Sequence, residues 1–145
     1  MKIGFTGTKN GMTHKQELTV ISILEKFVDK YCPTSDRICE GHHGQCVGSD
    51  YTFGENAHHL GFTIILHPPI NKSFTADCIY DMKRPPRPYL VRNHDIVDET
   101  SILIATPKEI NEQLRSGTWA TIRYARKLKR PILIVYPDGN VSREN

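Results

Sequence analysis

No stretch of this sequence stays apolar for long. No hydrophobic run approaches the roughly 18 residues that cross a bilayer, and the first residues lack the long apolar core of a secretion signal. Hydrophobic residues make up 38% of the chain and charged residues 24%, with a mean hydropathy of −0.44. This balance is typical of a folded, soluble protein. We therefore expect a cytoplasmic protein that has no membrane partner.

Cysteine is also scarce, with four residues in 145. No two of them form a C-x-x-C pair, and four are too few to make a disulfide scaffold of a chain of this length. We therefore expect reduced thiols. The four residues are Cys32, Cys39, Cys46 and Cys78.

A zinc site is considered and not favoured. Cys39, His42, His43 and Cys46 form a C-x-x-H-H-x-x-C cluster with zinc-like ligand types at workable spacing. Cys39, however, is expected inside a buried strand, and the neighbouring glycines are explained by a ligand-binding loop. We predict no metal and no cofactor.

Acidic residues are absent between Gln113 and Pro137, while six cations occur there. The net charge of the whole chain is only +3, which falls short of a dedicated nucleic-acid binder. This basic stripe could follow the phosphates of single-stranded DNA. The plainer interpretation is a solvated helix face with cations near its carboxyl end. The cations are Arg115, Arg123, Arg126, Lys127, Lys129 and Arg130.

Short apolar strands alternate with amphipathic helices along the chain. We predict strands at residues 2–6, 37–40, 62–66, 101–105 and 131–136. Helices are predicted from the N-cap Thr13 to Cys32-Pro33, from Ser49 or Asp50 to about 60, and over about 90–98 and 117–128. Residues 70–88 read as a long irregular excursion, and 142–145 as a frayed tail. The pattern predicts one α/β domain over residues 1–145: a Rossmann-like three-layer sandwich with a mainly parallel sheet of about five strands.

Three glycine-containing loops fall at the carboxyl edge of the predicted sheet, where open α/β sheets bind ligands. They span residues 6–11, 41–48 and 115–118. Glycines let backbone amides approach an anion, and the following helix adds its positive end. Neither the dinucleotide-binding Gly-x-Gly-x-x-Gly nor the P-loop pattern occurs, which disfavours dehydrogenases and P-loop NTPases. The loops together predict a site for a phosphate-bearing ligand.

The order of these motifs resembles the SLOG superfamily over about residues 2–136. The motifs are Gly4-Phe5-Thr6-Gly7-Thr8, Gly41-His42-His43-Gly44 with Asp50 and Ala57-His58, Arg92 through Val97, and Ser116-Gly117-Thr118 followed by Ala125. That superfamily joins the DNA-processing protein A family, the cytokinin-activating phosphoribohydrolases and nucleotide-sensing domains of bacterial antiviral systems. The resemblance implies a Rossmann-like nucleotide-binding pocket, often in a homo-oligomer.

Loop position and resemblance together assign twelve residues to ligand binding. Arg92 is expected to grip a phosphate bidentately. Trp119 is expected to stack on a base or fill a subunit contact, and His67 to meet the ligand at the end of its strand. The twelve are Gly7, Thr8, Lys9, Gly41, His42, Gly44, Asp50, Arg92, Asn93, Ser116, Gly117 and Thr118.

One departure from the phosphoribohydrolases bears on catalysis. Their glycine-rich turn is followed within one turn by a glutamate, whereas here Thr118 is followed by Trp119-Ala120-Thr121-Ile122. Cleavage of an N-glycosidic bond needs a carboxylate, and Asp50 is the best remaining one, with helix capping as its structural alternative. We therefore predict a nucleotide sensor or sequestering protein with no catalytic residue. The alternatives are a nucleoside 5'-monophosphate N-glycosidase that uses Asp50 or a residue of the long excursion, and a single-stranded DNA binder.

Overall fold

The computed structural model describes all residues from Met1 to Asn145. None of its helices combines the length and the apolarity that crossing a membrane requires. The strands are β1 (Lys2–Gly7), β2 (Glu40–His43), β3 (Thr63–Leu66), β4 (Met82–Lys83), β5 (Ile102–Thr106), β6 (Ile132–Val135) and β7 (Val141–Glu144). The helices are α1 (His14–Tyr31), α2 (Ser49–His59), α3 (Tyr89–Asp98) and α4 (Gly117–Lys127).

All strands belong to one sheet in the order β4-β3-β2-β1-β5-β6-β7. Every neighbouring pair is parallel except β6 with β7, which is antiparallel. The chain adds β2 and β3 on one side of β1 and then returns to add β5 and β6 on the other. The sheet therefore reverses its direction of growth between β1 and β5, and this is the position where open α/β sheets form a crevice.

Two buried cores cover the two faces of the sheet. In one, Val20 and Leu24 of α1 pack with Phe53 of α2 against strand residues such as Phe5. In the other, Ile122 of α4 and Val97 of α3 pack against the opposite face of β5 and β6. The predicted α/β three-layer sandwich is confirmed.

The sheet has seven strands rather than about five. β4 is two residues long and exposed, so it carries no apolar pattern. The frayed tail predicted at residues 142–145 is wrong. Ser142, Arg143 and Glu144 belong to β7 and pair with β6, and Glu144 is held by Arg126 through bonds of 2.7 and 2.9 Å. A polar edge strand of this kind is specified by its partners and not by hydrophobic alternation.

The predicted boundaries of the second strand are also wrong. The strand is β2, Glu40–His43, so residues 41–43 are part of the sheet and not of an irregular loop. Gly41 is tolerated there because Phe53 of α2 lies where a side chain at position 41 would project. Pairing with both β1 and β3 offsets the poor strand preference of glycine.

Cys32 and Cys39 form a disulfide, so the prediction that all four thiols are reduced is wrong. The end of α1 lies beside the start of β2, with 6.1 Å between the two Cα atoms, which is a normal separation for a disulfide. Cys46 and Cys78 remain free. The C-x-x-H-H-x-x-C cluster is therefore not assembled as a zinc site, because Cys39 is bonded elsewhere.

The start of α1 follows the prediction. Thr13 is its N-cap, and Thr13 and Gln16 form a reciprocal capping box. The buried Gln16 side chain also donates to the carbonyls of Pro107 and Val135, both at 2.9 Å. These bonds fasten the helix start to the carboxyl ends of β5 and β6, next to the loops that follow β1 and β5.

Candidate functional site

A cavity of about 540 Å³ opens at the carboxyl edge of the sheet, above β1 and β5. Its walls come from the loop after β1, the segment after β5 and the start of α4, and from parts of the 41–48 loop, the 70–88 excursion and α3. The cavity therefore lies where the strand order reverses. Seven of the twelve assigned residues line it: Gly7, Thr8, Lys9, Arg92, Ser116, Gly117 and Thr118.

The start of α4 presents free backbone donors to this cavity. The Ser116 hydroxyl accepts a bond from the Trp119 amide at 3.2 Å, whereas the amides of Gly117 and Thr118 have no acceptor within the chain. A side chain at position 117 would overlap the Tyr89 hydroxyl, so glycine lets Tyr89 pack closely against this end of the helix. Free amides at the positive end of a helix favour an anion.

The cavity is lined by four cations and one acid. The cations are Lys9, Arg92, Lys108 and Arg115, and the acid is Glu109. The Glu109 carboxylate accepts a bond from the Trp119 indole at 3.1 Å, so this carboxylate already has a partner. The excess of positive charge suits an anionic group.

Arg92 is 2% exposed, and its guanidinium is largely occupied within the protein. Nη1 donates to the carbonyls of Gly44 and His67, Nε to the Asn93 side chain, and Nη2 to the Cys46 sulfur. A guanidinium has five N–H groups, so one of them remains for a ligand. The predicted bidentate grip on phosphate does not fit this arrangement, because the fork already holds the wall of the cavity together.

Five of the assigned residues lie behind the lining. Asn93 supports Arg92, and a side chain at position 44 would overlap the Arg92 guanidinium. His42 is fully buried and faces His67 instead of the cavity. These five residues are Gly41, His42, Gly44, Asp50 and Asn93. The rule that ligands bind beyond the carboxyl ends of parallel strands points to the edge where the cavity lies. It does not distinguish residues that line the cavity from residues that support its wall.

Asp50 does not cap α2, so that structural alternative is wrong. The N-cap is Gly48, and the Asp50 carboxylate instead accepts bonds from the amides of Gly44 at 3.1 Å and Cys46 at 3.2 Å. Burial raises the pKa of Asp50 to about 6, although Arg92 and the two amides oppose the shift. The residue shapes the loop from behind and does not line the cavity.

The pKa of Asp50 predicts a measurable pH dependence. Because its pKa rises from 3.8 to about 6 on folding, the folded chain binds more protons between these values, and stability from this group falls as pH rises. The full change is about 3 kcal/mol, of which about 2 kcal/mol falls between pH 4 and 7. Urea unfolding should show that the wild type loses this latter amount of stability relative to Asp50→Asn as the pH rises from 4 to 7. A difference that is constant with pH would contradict the assignment.

Several lining residues were missed in the sequence. Lys108 and Glu109 directly follow β5, so the strand-end rule that located the other loops could have found them. Phe74 comes from the 70–88 excursion, and the Lys9 ammonium lies 4.1 Å from the centre of its ring. The excursion thus supplies part of a wall, as its length suggests, although no local pattern singles out Phe74.

Trp119 and the basic stripe take ordinary structural roles. Trp119 is 2% exposed and packs in the core beneath α4, so it neither stacks on a base nor fills a subunit contact. Arg123 and Arg126 pair with Glu112 at 3.0 and 2.9 Å. Because acids from outside the stripe neutralise its middle, the interpretation as a solvated helix face is the better one.

His67 lines a second, smaller cavity of about 240 Å³, together with Arg84, Arg87 and Glu99. Its ring lies against that of His42, with 2.9 Å between His67 Nε2 and His42 Nδ1. Burial lowers the pKa of both histidines, that of His67 to about 4. His67 thus reaches the predicted edge of the sheet but points away from the larger cavity.

Known proteins with solved structures share this fold at low sequence identity. A molybdenum cofactor binding protein from Rippkaea orientalis superposes with a TM-score of 0.68 and 17% identity, over 93% of this chain and 76% of its own. The molybdenum cofactor carrier protein of Chlamydomonas reinhardtii gives 0.62 and 19%, over 92% and 74%. A structural genomics target named TM1055 gives 0.64 and 13%, over 90% and 71%.

At these identities the likeness establishes a common Rossmann-like fold and no more. No family model matches the sequence, and no curated protein shows significant sequence similarity to it. The resemblance to the SLOG superfamily therefore stays an interpretation of the motifs.

Proposed function

We propose that this chain binds a phosphate-bearing, nucleotide-type small molecule in the larger cavity, as a sensor or sequestering protein of SLOG type. The observation that carries the proposal is the combination of four lining cations with the free amides at the start of α4. Positively charged side chains and backbone amides that point into the cavity both favour the binding of phosphate. A volume of about 540 Å³ lies within the range of small-molecule sites.

The composition of the lining favours binding over hydrolysis. It holds a single acid, Glu109, against four cations, and Asp50, the carboxylate that the sequence offered for catalysis, lies behind the wall. An N-glycosidase would need a carboxylate that reaches the sugar. The proteins of similar fold support the binding role in a general way, because two of them are named for binding or carrying a small molecule, the molybdenum cofactor.

The direct test is calorimetric titration with the mono-, di- and triphosphates of adenosine and guanosine. Arg115→Ala should weaken the binding of the best of these at least tenfold, about 1.4 kcal/mol, because Arg115 lines the cavity and is exposed. Lys127→Ala is the matched control: it removes one exposed cation from the far end of α4 and should leave the affinity unchanged. Native mass spectrometry of the purified chain would report copy number and any bound nucleotide.

The proposal fails if no nucleotide binds at low salt. It also fails if the control variant loses as much affinity as Arg115→Ala, because the attraction would then come from total charge and not from this cavity.

A further inference from the structure

The lining of the larger cavity changes in character from one side of β1 to the other. Two of its cations, Lys108 and Arg115, and the free amides of α4 follow β5. The lining residues between β3 and β4 are Pro69, Asn71 and Phe74, and they carry no charge. Because β3 and β5 lie on opposite sides of β1, a nucleotide whose phosphate reaches α4 can extend across β1 toward Phe74.

Phe74 is an exposed aromatic residue whose backbone is firmly held. Its side chain is 54% exposed. Its carbonyl accepts a bond from the Val47 amide at 2.8 Å, and two residues later the Ala76 amide donates to the Gln45 carbonyl at 3.0 Å. The chain around Phe74 is therefore paired with the 41–48 loop, and the ring is fixed at the cavity. Apolar surface held in this way gains stability only when another group covers it.

One face of the Phe74 ring is already covered. The Lys9 ammonium lies 4.1 Å from the ring centre, which is a cation–π contact. The other face remains for a flat group. A phosphate has no apolar surface that could cover the ring, whereas a nucleobase stacks on aromatic side chains whatever its identity.

We propose that Phe74 binds the base of the nucleotide by stacking, so that the ligand lies across β1 with its base at the 70–88 excursion and its phosphate at the start of α4. This inference rests on the proposed function and names the residue that selects nucleotides over phosphates without a base. Tyr89, the other aromatic residue of the lining, is less suited. Its ring centre lies 4.8 Å from the Arg92 guanidinium, and its hydroxyl lies against Gly117.

The test compares ligands that differ only in the base. Adenosine and guanosine monophosphate are titrated by calorimetry beside ribose 5-phosphate, which has the same sugar and phosphate but no base. Phe74→Ala should weaken the binding of the nucleotides about fivefold or more, the loss expected for one stacked base, and leave that of ribose 5-phosphate unchanged. Phe74→Tyr keeps the ring and should bind the nucleotides like the wild type.

Tyr80→Ala is the matched control. Tyr80 belongs to the same excursion and is 48% exposed, and the Lys83 ammonium lies 4.6 Å from its ring centre. It does not line the cavity. Removal of this second aromatic ring should therefore leave the affinity for every one of these ligands unchanged.

The outcomes separate this inference from the proposed function. If the wild type binds the nucleotides and Phe74→Ala binds them equally well, the inference is overturned and the proposed function stands. The inference is also overturned if Phe74→Ala loses the same factor for ribose 5-phosphate, because Phe74 would then act on the phosphate through Lys9, or if Tyr80→Ala loses as much. If the wild type binds no nucleotide, the proposed function fails and this inference fails with it.

Discussion

Replacement of Arg92 by alanine should lower the free energy of unfolding by about 3 to 5 kcal/mol. The guanidinium joins the 41–48 loop, the end of β3 and α3, through Gly44, His67 and Asn93. Its removal leaves buried acceptors without a donor and Asp50 without its compensating charge. Urea unfolding at pH 7.5, followed by circular dichroism, measures the loss.

Two further variants show whether charge or geometry carries this effect. Arg92→Lys keeps the charge but not the planar fork, so it should recover part of the lost stability. Arg115→Ala removes an exposed arginine of the same cavity and should change stability by no more than about 0.5 kcal/mol. A loss below about 1 kcal/mol in Arg92→Ala would mean that Arg92 is available to a ligand after all.

Gly48→Ala is the second large effect that we expect, at about 3 to 5 kcal/mol of stability. Gly48 has a φ of 80°, which side chains rarely adopt, and a Cβ there would overlap the backbone of Lys9. The substitution must therefore move the loop that brings Lys9 to the cavity. Nucleotide affinity should fall with stability.

Gly61→Ala is the matched control for this prediction. Gly61 has a φ of 92°, but nothing lies within 4 Å of an added Cβ. This variant should lose only about 1 kcal/mol of stability, which is the cost of the strained backbone, and it should keep its nucleotide affinity. Equal losses in thermal unfolding for the two variants would show that the contact with Lys9 is unimportant.

The architecture was predictable because four of the parallel strands, β1, β3, β5 and β6, carry their own apolar runs, whereas β2 does not and its boundaries were misplaced. Both faces of these four strands are covered, so residues such as Ile64 and Ile134 are buried. A continuously apolar strand of this kind is recognisable in the sequence without knowledge of its partners. The capping box at Thr13 is equally local. The position of the cavity followed from topology, because loops after parallel strands meet at one edge.

What the sequence could not supply depends on contacts between distant segments. β7 is defined by its pairing with β6 and by Arg126, and the disulfide by the meeting of α1 with β2. Likewise, nothing near Asp50 or His42 in the sequence distinguishes a residue behind the wall from one that lines it. Sequence patterns predict where a strand ends, but they do not predict which side chains near that end line the cavity.

The central position of β1 has a consequence for biosynthesis. β1 pairs with β2 on one side and with β5 on the other. The cavity above β1 and β5 therefore joins residues from both halves of the chain, such as Lys9 from the first and Arg115 from the second. A nascent chain that has emerged only as far as β4 exposes one unpaired edge of β1 and holds only Lys9 of the four cations that line the cavity. A ligand that needs both halves would bind only the completed sheet, and its presence in the cell would therefore favour the finished molecule over partly made ones.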